Sequence, residues 1–318
     1  VFHSLLALRL SEGDIVRIPL DSAGGSGAVT TFVKEAGPCP DGIVVQDGTV
    51  YWTTMGVPAV LPGVSGEESL DYSARNGGIS AAALADGQVS AVVESGALTT
   101  GKQLTGDGAG RLYWSDREGC RVSSVNVDGT GLRDLVINTP DGSKDPECVG
   151  VAVDPEAGHL YWTQKGPAKG GHGRILRAGL TLPPEEDPRS RSDIEILWDG
   201  LPEPIDLEIH QGFLYWTDRG AEPFGNTLNR APLPAPGRVG GAPEILARGF
   251  REAIGLAIDG DAGLAYVSEL GGRILAVKLH SAGEIAATRL VADLGTPLSG
   301  LAGLNTMHDL NTIHEQQD

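Results

Sequence analysis

Apolar positions in this chain fall in short runs divided by stretches rich in Gly, Asp and Glu, and no stretch sustains a 3.6-residue period. The runs are rich in β-branched and aromatic residues and bounded by turn chemistry, which predicts strands. They come in ordered sets. One set reads Val149-Gly150-Val151-Ala152-Val153-Asp154, Leu160-Tyr161-Trp162-Thr163-Gln164, Arg174-Ile175-Leu176-Arg177 and Ile194-Glu195-Ile196-Leu197. Another opens at Ile254-Gly255-Leu256-Ala257-Ile258-Asp259 and continues through Tyr266 to Arg273-Ile274-Leu275-Ala276. Each set predicts a four-stranded unit.

The second run of each set carries the signature. Tyr51-Trp52, Tyr113-Trp114, Tyr161-Trp162 and Tyr215-Trp216 recur in one apolar-flanked setting, with a decayed copy at Tyr266-Val267. Successive tyrosines are 62, 48, 54 and 51 residues apart, the period of one four-stranded propeller blade. The segment from Leu5 to Ile18 matches the one from Leu264 to Val277, so the N-terminus supplies the last three strands of a blade. Its missing first strand is the run Leu298 to Leu304. The fold class expected is therefore all-β: a six-bladed propeller of four-stranded antiparallel blades, closed by both termini in one blade, which removes free sheet edges. Residues 1–304 form one domain in this reading, and the tail 305–318 is expected to be mobile.

The four Tyr-Trp pairs at blade spacing resemble the YWTD six-bladed propellers, the class B repeats of lipoprotein receptors, over the whole length of the chain. Asp116 and Asp218 keep the aspartate of that motif, while Thr54, Gln164 and Glu269 replace it. In size, repeat type and lack of accessory modules the chain is also similar to the fungal hetero-Diels-Alderases of tropolone sesquiterpenoid pathways. That resemblance implies a biosynthetic enzyme of secondary metabolism that needs no cofactor.

Composition narrows the partners. A formal charge of −18 argues against nucleic acid and anionic membrane. Nothing approaches the roughly 20 apolar residues of a membrane span. The opening segment lacks a basic start and runs straight into a strand, so no signal peptide is expected and a cytoplasmic location is. Three cysteines, Cys39, Cys120 and Cys148, do not make a disulfide framework, and no zinc spacing, phosphate loop, dinucleotide glycine pattern or nucleophile elbow is present.

A site is expected where loops converge on one propeller face. The loop from Met55 to Gly78 is far longer than its equivalents and reads as a lid. Aligning first strands by distance to the Tyr-Trp motif puts Gly42, Gly150, Gly255 and Gly300 next to the axis, with Lys102 and Asp206 at that place in the other two blades. Such charges are costly in a crowded centre unless they pair, hold water or meet a ligand. Asp41, Glu147, Glu203 and Glu252 lie just upstream. Arg117, Lys165 and Arg219 follow the motif copies, with His172 and Phe224 further along their loops. Together with Trp52, Met55 and Tyr72 these define a pocket with apolar walls and cationic donors.

The resemblance to the hetero-Diels-Alderases implies assisted water loss from a hydroxylated, lipophilic polyketide-terpenoid precursor to a quinone methide, followed by cycloaddition. Lys102, Arg117 or Arg219 would stabilise oxyanion charge and Asp206 or Glu203 would move the proton. Trp52, Met55, Tyr72, Glu147, Lys165, His172, Phe224 and Glu252 would contact substrate. Two alternatives stand beside it. One is a metal-dependent, lactonase-like hydrolase with an axial cation on Asp41, Glu147, Glu203, Asp206 or Glu252; the other is a protein-binding scaffold.

Overall fold

In the computed structural model, which describes residues 1–21, 25–279 and 285–305, each Tyr-Trp motif forms the second strand of a four-stranded antiparallel sheet. Blade 1 joins the C-terminal strand Leu298–Asn305 to Phe2–Arg9, Asp14–Pro19 and Thr30–Val33. The innermost strands of blades 2 to 6 are Pro40–Gln46, Gly101–Gly106, Cys148–Asp154, Pro204–His210 and Ala253–Asp259. Each packs against the innermost strand of the next blade, and the sixth against the first, so six sheets close a ring. The closing strand runs to Asn305, which pairs with Phe2; residues 306–318, the expected mobile tail, lie outside the described residues.

The repeat follows from how blades stick together. Trp52, Trp114, Trp162 and Trp216 are all 2% exposed or less. Tyr51 shares a core cluster with Trp114, Tyr113 with Trp162 and Tyr161 with Trp216, so the tyrosine of one blade and the tryptophan of the next are buried in one core. A side chain of this size buries about 150–250 Å², roughly 4–6 kcal/mol of transfer free energy.

The hydroxyl that follows each pair is a second fastener. Thr217 Oγ1 accepts the Asp206 N–H at 3.1 Å in its own blade and donates to the Ile254 carbonyl of the next at 2.6 Å. Thr53, Thr163 and Ser268 make the same bridge to Lys102, Ile205 and Ser299. The motif aspartates are also structural: Asp116 accepts the N–H groups of Thr99, Thr100 and Gly119, and Asp218 those of Glu203 and Gly220.

The strand pairing corrects one alignment. Each first strand bulges two residues in, so the ring of close approach is Gly42, Gln103, Gly150, Asp206, Gly255 and Gly300. Lys102 belongs one residue earlier. The cause is the first hairpin of blade 3, where five residues separate the last pair, Gly106 and Leu112, against two or four in blades 2, 4, 5 and 6. Glycine prevails here because neighbouring backbones touch: a Cβ on Gly150 would lie 2.0 Å from the Ile205 carbonyl oxygen.

A candidate active site at the propeller mouth

Two rings of equivalent positions build the mouth. The floor is the residue before the glycine ring: Asp41, Lys102, Val149, Ile205, Ile254 and Ser299. Above it stands the residue that follows each second-strand motif: Leu10, Met55, Arg117, Lys165, Arg219 and Leu270. With Gly66, Leu70 and Tyr72 of the lid loop and Pro297, they line a cavity of about 280 Å³. This lies near the lower end of the range for small-molecule sites, roughly 300–1,000 Å³.

The floor holds one tight ion pair. Lys102 Nζ donates to Asp41 Oδ1 at 2.5 Å and approaches Met55 Sδ at 3.3 Å, while Gln103 Nε2 donates to the other Asp41 oxygen at 3.1 Å. Burial holds the Lys102 ammonium below its usual pKa, with the Asp41 charge opposing. Lys102 therefore pairs with Asp41 and not with Asp206.

The upper cations are held from behind. Glu203, fully buried and outside the cavity lining, accepts from Arg219 Nε at 2.8 Å, Lys165 Nζ at 3.2 Å and the Lys169 N–H at 2.9 Å. Burial lowers the Lys165 ammonium as well. Arg117 pairs with Glu118 at 2.7 Å and its guanidinium sits 5.4 Å from the Tyr72 ring centroid, a cation–π distance.

Between Thr54 and Gly77 the long loop folds as a small hairpin, Ala59–Val60 against Leu70–Asp71, with a 3₁₀ turn at Glu67–Ser69. Tyr72 fastens its return arm. The residue is 7% exposed, its hydroxyl meets Cys39 Sγ at 3.6 Å, and its carbonyl accepts from Thr100 Oγ1 at 2.9 Å. Burial raises the Tyr72 phenol above its ordinary pKa.

Of the residues proposed from sequence, Asp41, Lys102, Arg117, Arg219, Met55, Tyr72 and Lys165 line this cavity together. The others do not. Trp52 is fully buried between blades, its indole N–H donating to the Ala36 carbonyl at 2.7 Å. Phe224 is 64% exposed, and His172, paired with Asp145 at 3.3 Å, lies in a separate surface hollow. Glu147 pairs with Lys144 at 2.8 Å and Glu252 with Lys169 at 2.8 Å, both off the lining.

Asp206 lies in a second chamber of about 200 Å³ on the other side of the glycine ring, with Glu208 and mostly aliphatic walls. Its carboxylate accepts the N–H groups of Leu207 and Leu256, each at 2.9 Å, and burial still pushes its pKa up to about 7. Burial, then the Asp206 charge, pushes Glu208 up to about 8. The five carboxylates considered for an axial cation thus do not converge, and no group of three or more Asp, Glu, His or Cys side chains able to hold a metal occurs among the described residues. Sequence reasoning gave Asp41 no acid–base role and missed Leu10 and Leu270. The position after the motif, already used for Arg117, would have found both leucines in blades 1 and 6.

No protein-family model matches the chain. It is 41% identical over 261 residues, 76% of its length, to a Pyricularia oryzae protein named low-density lipoprotein receptor-related protein 1, of which it covers 79%. It is 37% identical over 282 residues to the 3-hydroxyacyl-CoA dehydrogenase-like protein LAM1 of Cochliobolus heterostrophus; the match takes 83% of this chain and spans 56% of that longer protein. Among solved structures, nidogen in its complex with laminin superposes with a TM-score of 0.67 at 20% identity, covering 94% of this chain and 97% of that one. A luciferin-regenerating enzyme gives 0.56 at 13% identity, covering 82% and 78%. A 6-phosphogluconolactonase-like protein of Bacteroides uniformis gives 0.56 at 13%, covering 92% and 82%. These structural likenesses speak to the fold. No helix among the described residues is long and apolar enough to cross a membrane.

Proposed function

Since the chain belongs to the YWTD-type six-bladed propellers, the family of its Pyricularia oryzae relative, we propose that its mouth is the active site of a biosynthetic enzyme acting on a lipophilic polyketide-terpenoid substrate. One observation carries this reading: a lidded, largely aliphatic cavity whose charged lining is an acid–base pair on the floor and three cations above it. An organised apolar pocket with a proton donor and oxyanion partners is what assisted dehydration and cycloaddition require.

In this mechanism a ring bearing a hydroxyl and an adjacent hydroxymethyl group enters under Tyr72. Lys102 gives a proton to the departing hydroxyl, which leaves as water. The ring hydroxyl loses its own proton, which returns to the Lys102 amine, so a neutral quinone methide forms. Arg117 and Arg219 stabilise the ring oxygen as charge develops there. The heterodiene then adds to an alkene, making one C–C and one C–O bond, while the aliphatic walls keep out water that would trap it. Asp41 orients Lys102, and Lys102 takes the proton-moving role that the sequence suggests for Asp206 or Glu203. Secondary metabolism and a cytoplasmic setting belong to this proposal.

The test is an incubation of the purified protein with a hydroxymethyl-tropolone or hydroxymethyl-phenol precursor and a polyene. The reading expects faster cycloadduct formation with one diastereomer dominant, both lost in Lys102→Met. Unchanged rate and product ratio would reject it. A protein-binding role is favoured by one separate feature: Val57, Val60, Leu61 and Val64 on the lid tip are 40–71% exposed.

A further inference from the structure

The upper ring of the mouth is split into two halves. Arg117, Lys165 and Arg219 stand on blades 3, 4 and 5 in succession, while Leu270, Leu10 and Met55 stand on blades 6, 1 and 2. The six positions are equivalent in the backbone, each being the residue after the second-strand motif, so the fold does not dictate this division. We propose that the mouth selects an amphiphilic anion: an apolar body bearing one planar oxyanion, a carboxylate or ring enolate, seated with its charge on the cationic arc and its apolar end against the aliphatic arc. The proposal rests on the mouth being a substrate cavity and names the class of substrate.

The electrostatics agree. Lys165 and Arg219 both pair with Glu203, and Arg219 also approaches Glu252 at 3.9 Å; both carboxylates lie off the cavity lining. The one carboxylate on the lining, Asp41, is taken by Lys102 and Gln103 on the floor. In the upper ring an entering group therefore meets donors from one arc only. Guanidinium forks match a planar oxyanion, and in a cavity that excludes water such charge-assisted bonds are stronger than neutral ones. Below the cationic arc, Val149, Ile205 and Ile254 form an aliphatic floor, which favours a flat, delocalised anion over a strongly hydrated one. The protein's overall charge of −18 would repel anions at long range. Selection therefore operates at contact, where screening by salt is weak.

Calorimetric titration of the full chain with 2-naphthoate, 2-naphthylmethanol and 2-naphthylmethylammonium tests this. Naphthoate is expected to bind at least about tenfold tighter than the alcohol, with the ammonium weakest. Arg219→Met should reduce naphthoate to the level of the alcohol and leave the alcohol unchanged, whereas Leu270→Ala should weaken both. Lys165→Met, which leaves Arg219 on Glu203, is the second variant should the first fail to fold. Equal binding of acid and alcohol, lost in Leu270→Ala, would overturn the charge selection while leaving the cavity as the binding site. No binding of any probe would overturn both.

Discussion

The stability of the fold should depend on pH through Asp206. Burial raises its pKa from 3.8 to about 7, so the folded state holds this proton more tightly than the unfolded state. The contribution is thus most favourable below about pH 4, is lost as pH rises toward 7, and stays lost above it. A shift of about 3 units corresponds to roughly 4 kcal/mol at most. Glu208, raised from 4.5 to about 8 partly by Asp206, extends the same slope upward. Asp206→Asn keeps an oxygen to accept from Leu207 or Leu256 but carries no titrating charge. Urea unfolding of wild type and variant at about pH 5 and about pH 8.5 reads the difference. The stability of the variant relative to wild type should rise by roughly 3 kcal/mol from the lower pH to the higher, because about 1.2 units of the shift are already lost at the lower one. Asp218, raised by burial to about 7, and the general repulsion of an acidic protein are common to both and cancel. Parallel stability curves across this range would refute the claim that Asp206 is buried at the expense of its charge.

Other perturbations separate fold from site. Thr217→Val removes the bridge between blades 5 and 6, leaving the Asp206 N–H and Ile254 carbonyl without it; denaturation should show a loss of roughly 2–4 kcal/mol, and Thr217→Ser should restore most of it. Lys102→Met strands buried Asp41 and should cost about 3–5 kcal/mol, whereas Lys102→Met with Asp41→Asn should recover much of that stability but no turnover. Tyr72→Ala removes the ring over which Arg117 sits; the cation–π contact is worth about 0.5–2 kcal/mol. Ligand affinity should therefore fall several-fold and limited proteolysis within residues 57–70 should speed up, with Tyr72→Phe close to wild type.

The blade count and closure could be read from the chain because Tyr-Trp pairs are the contacts that join blades, and a core contact repeats wherever the fold repeats. The residues after the motif were equally legible: a strand register tied to a buried tryptophan fixes where Arg117, Lys165 and Arg219 must stand. The exchange of Gln103 for Lys102 arose where one hairpin is longer by an odd residue, a detail that apolar patterning does not encode. Asp206 was placed with Lys102 because both break a glycine series, yet the glycine ring divides two chambers, and position along the axis has no sequence period. Trp52 was given to the pocket although its motif place is buried, and His172 and Phe224 lie in loops whose direction no periodicity sets.

Whether the mouth is a substrate site is tested most directly by a crystal structure of the full chain soaked with a tropolone-like aromatic. Ring density is expected beneath Tyr72, its oxygens toward Arg117, Lys165 or Arg219 and its carbon edge against Leu10 and Leu270. An unoccupied mouth at saturating ligand, or density only in the chamber of Asp206 and Glu208, would contradict it.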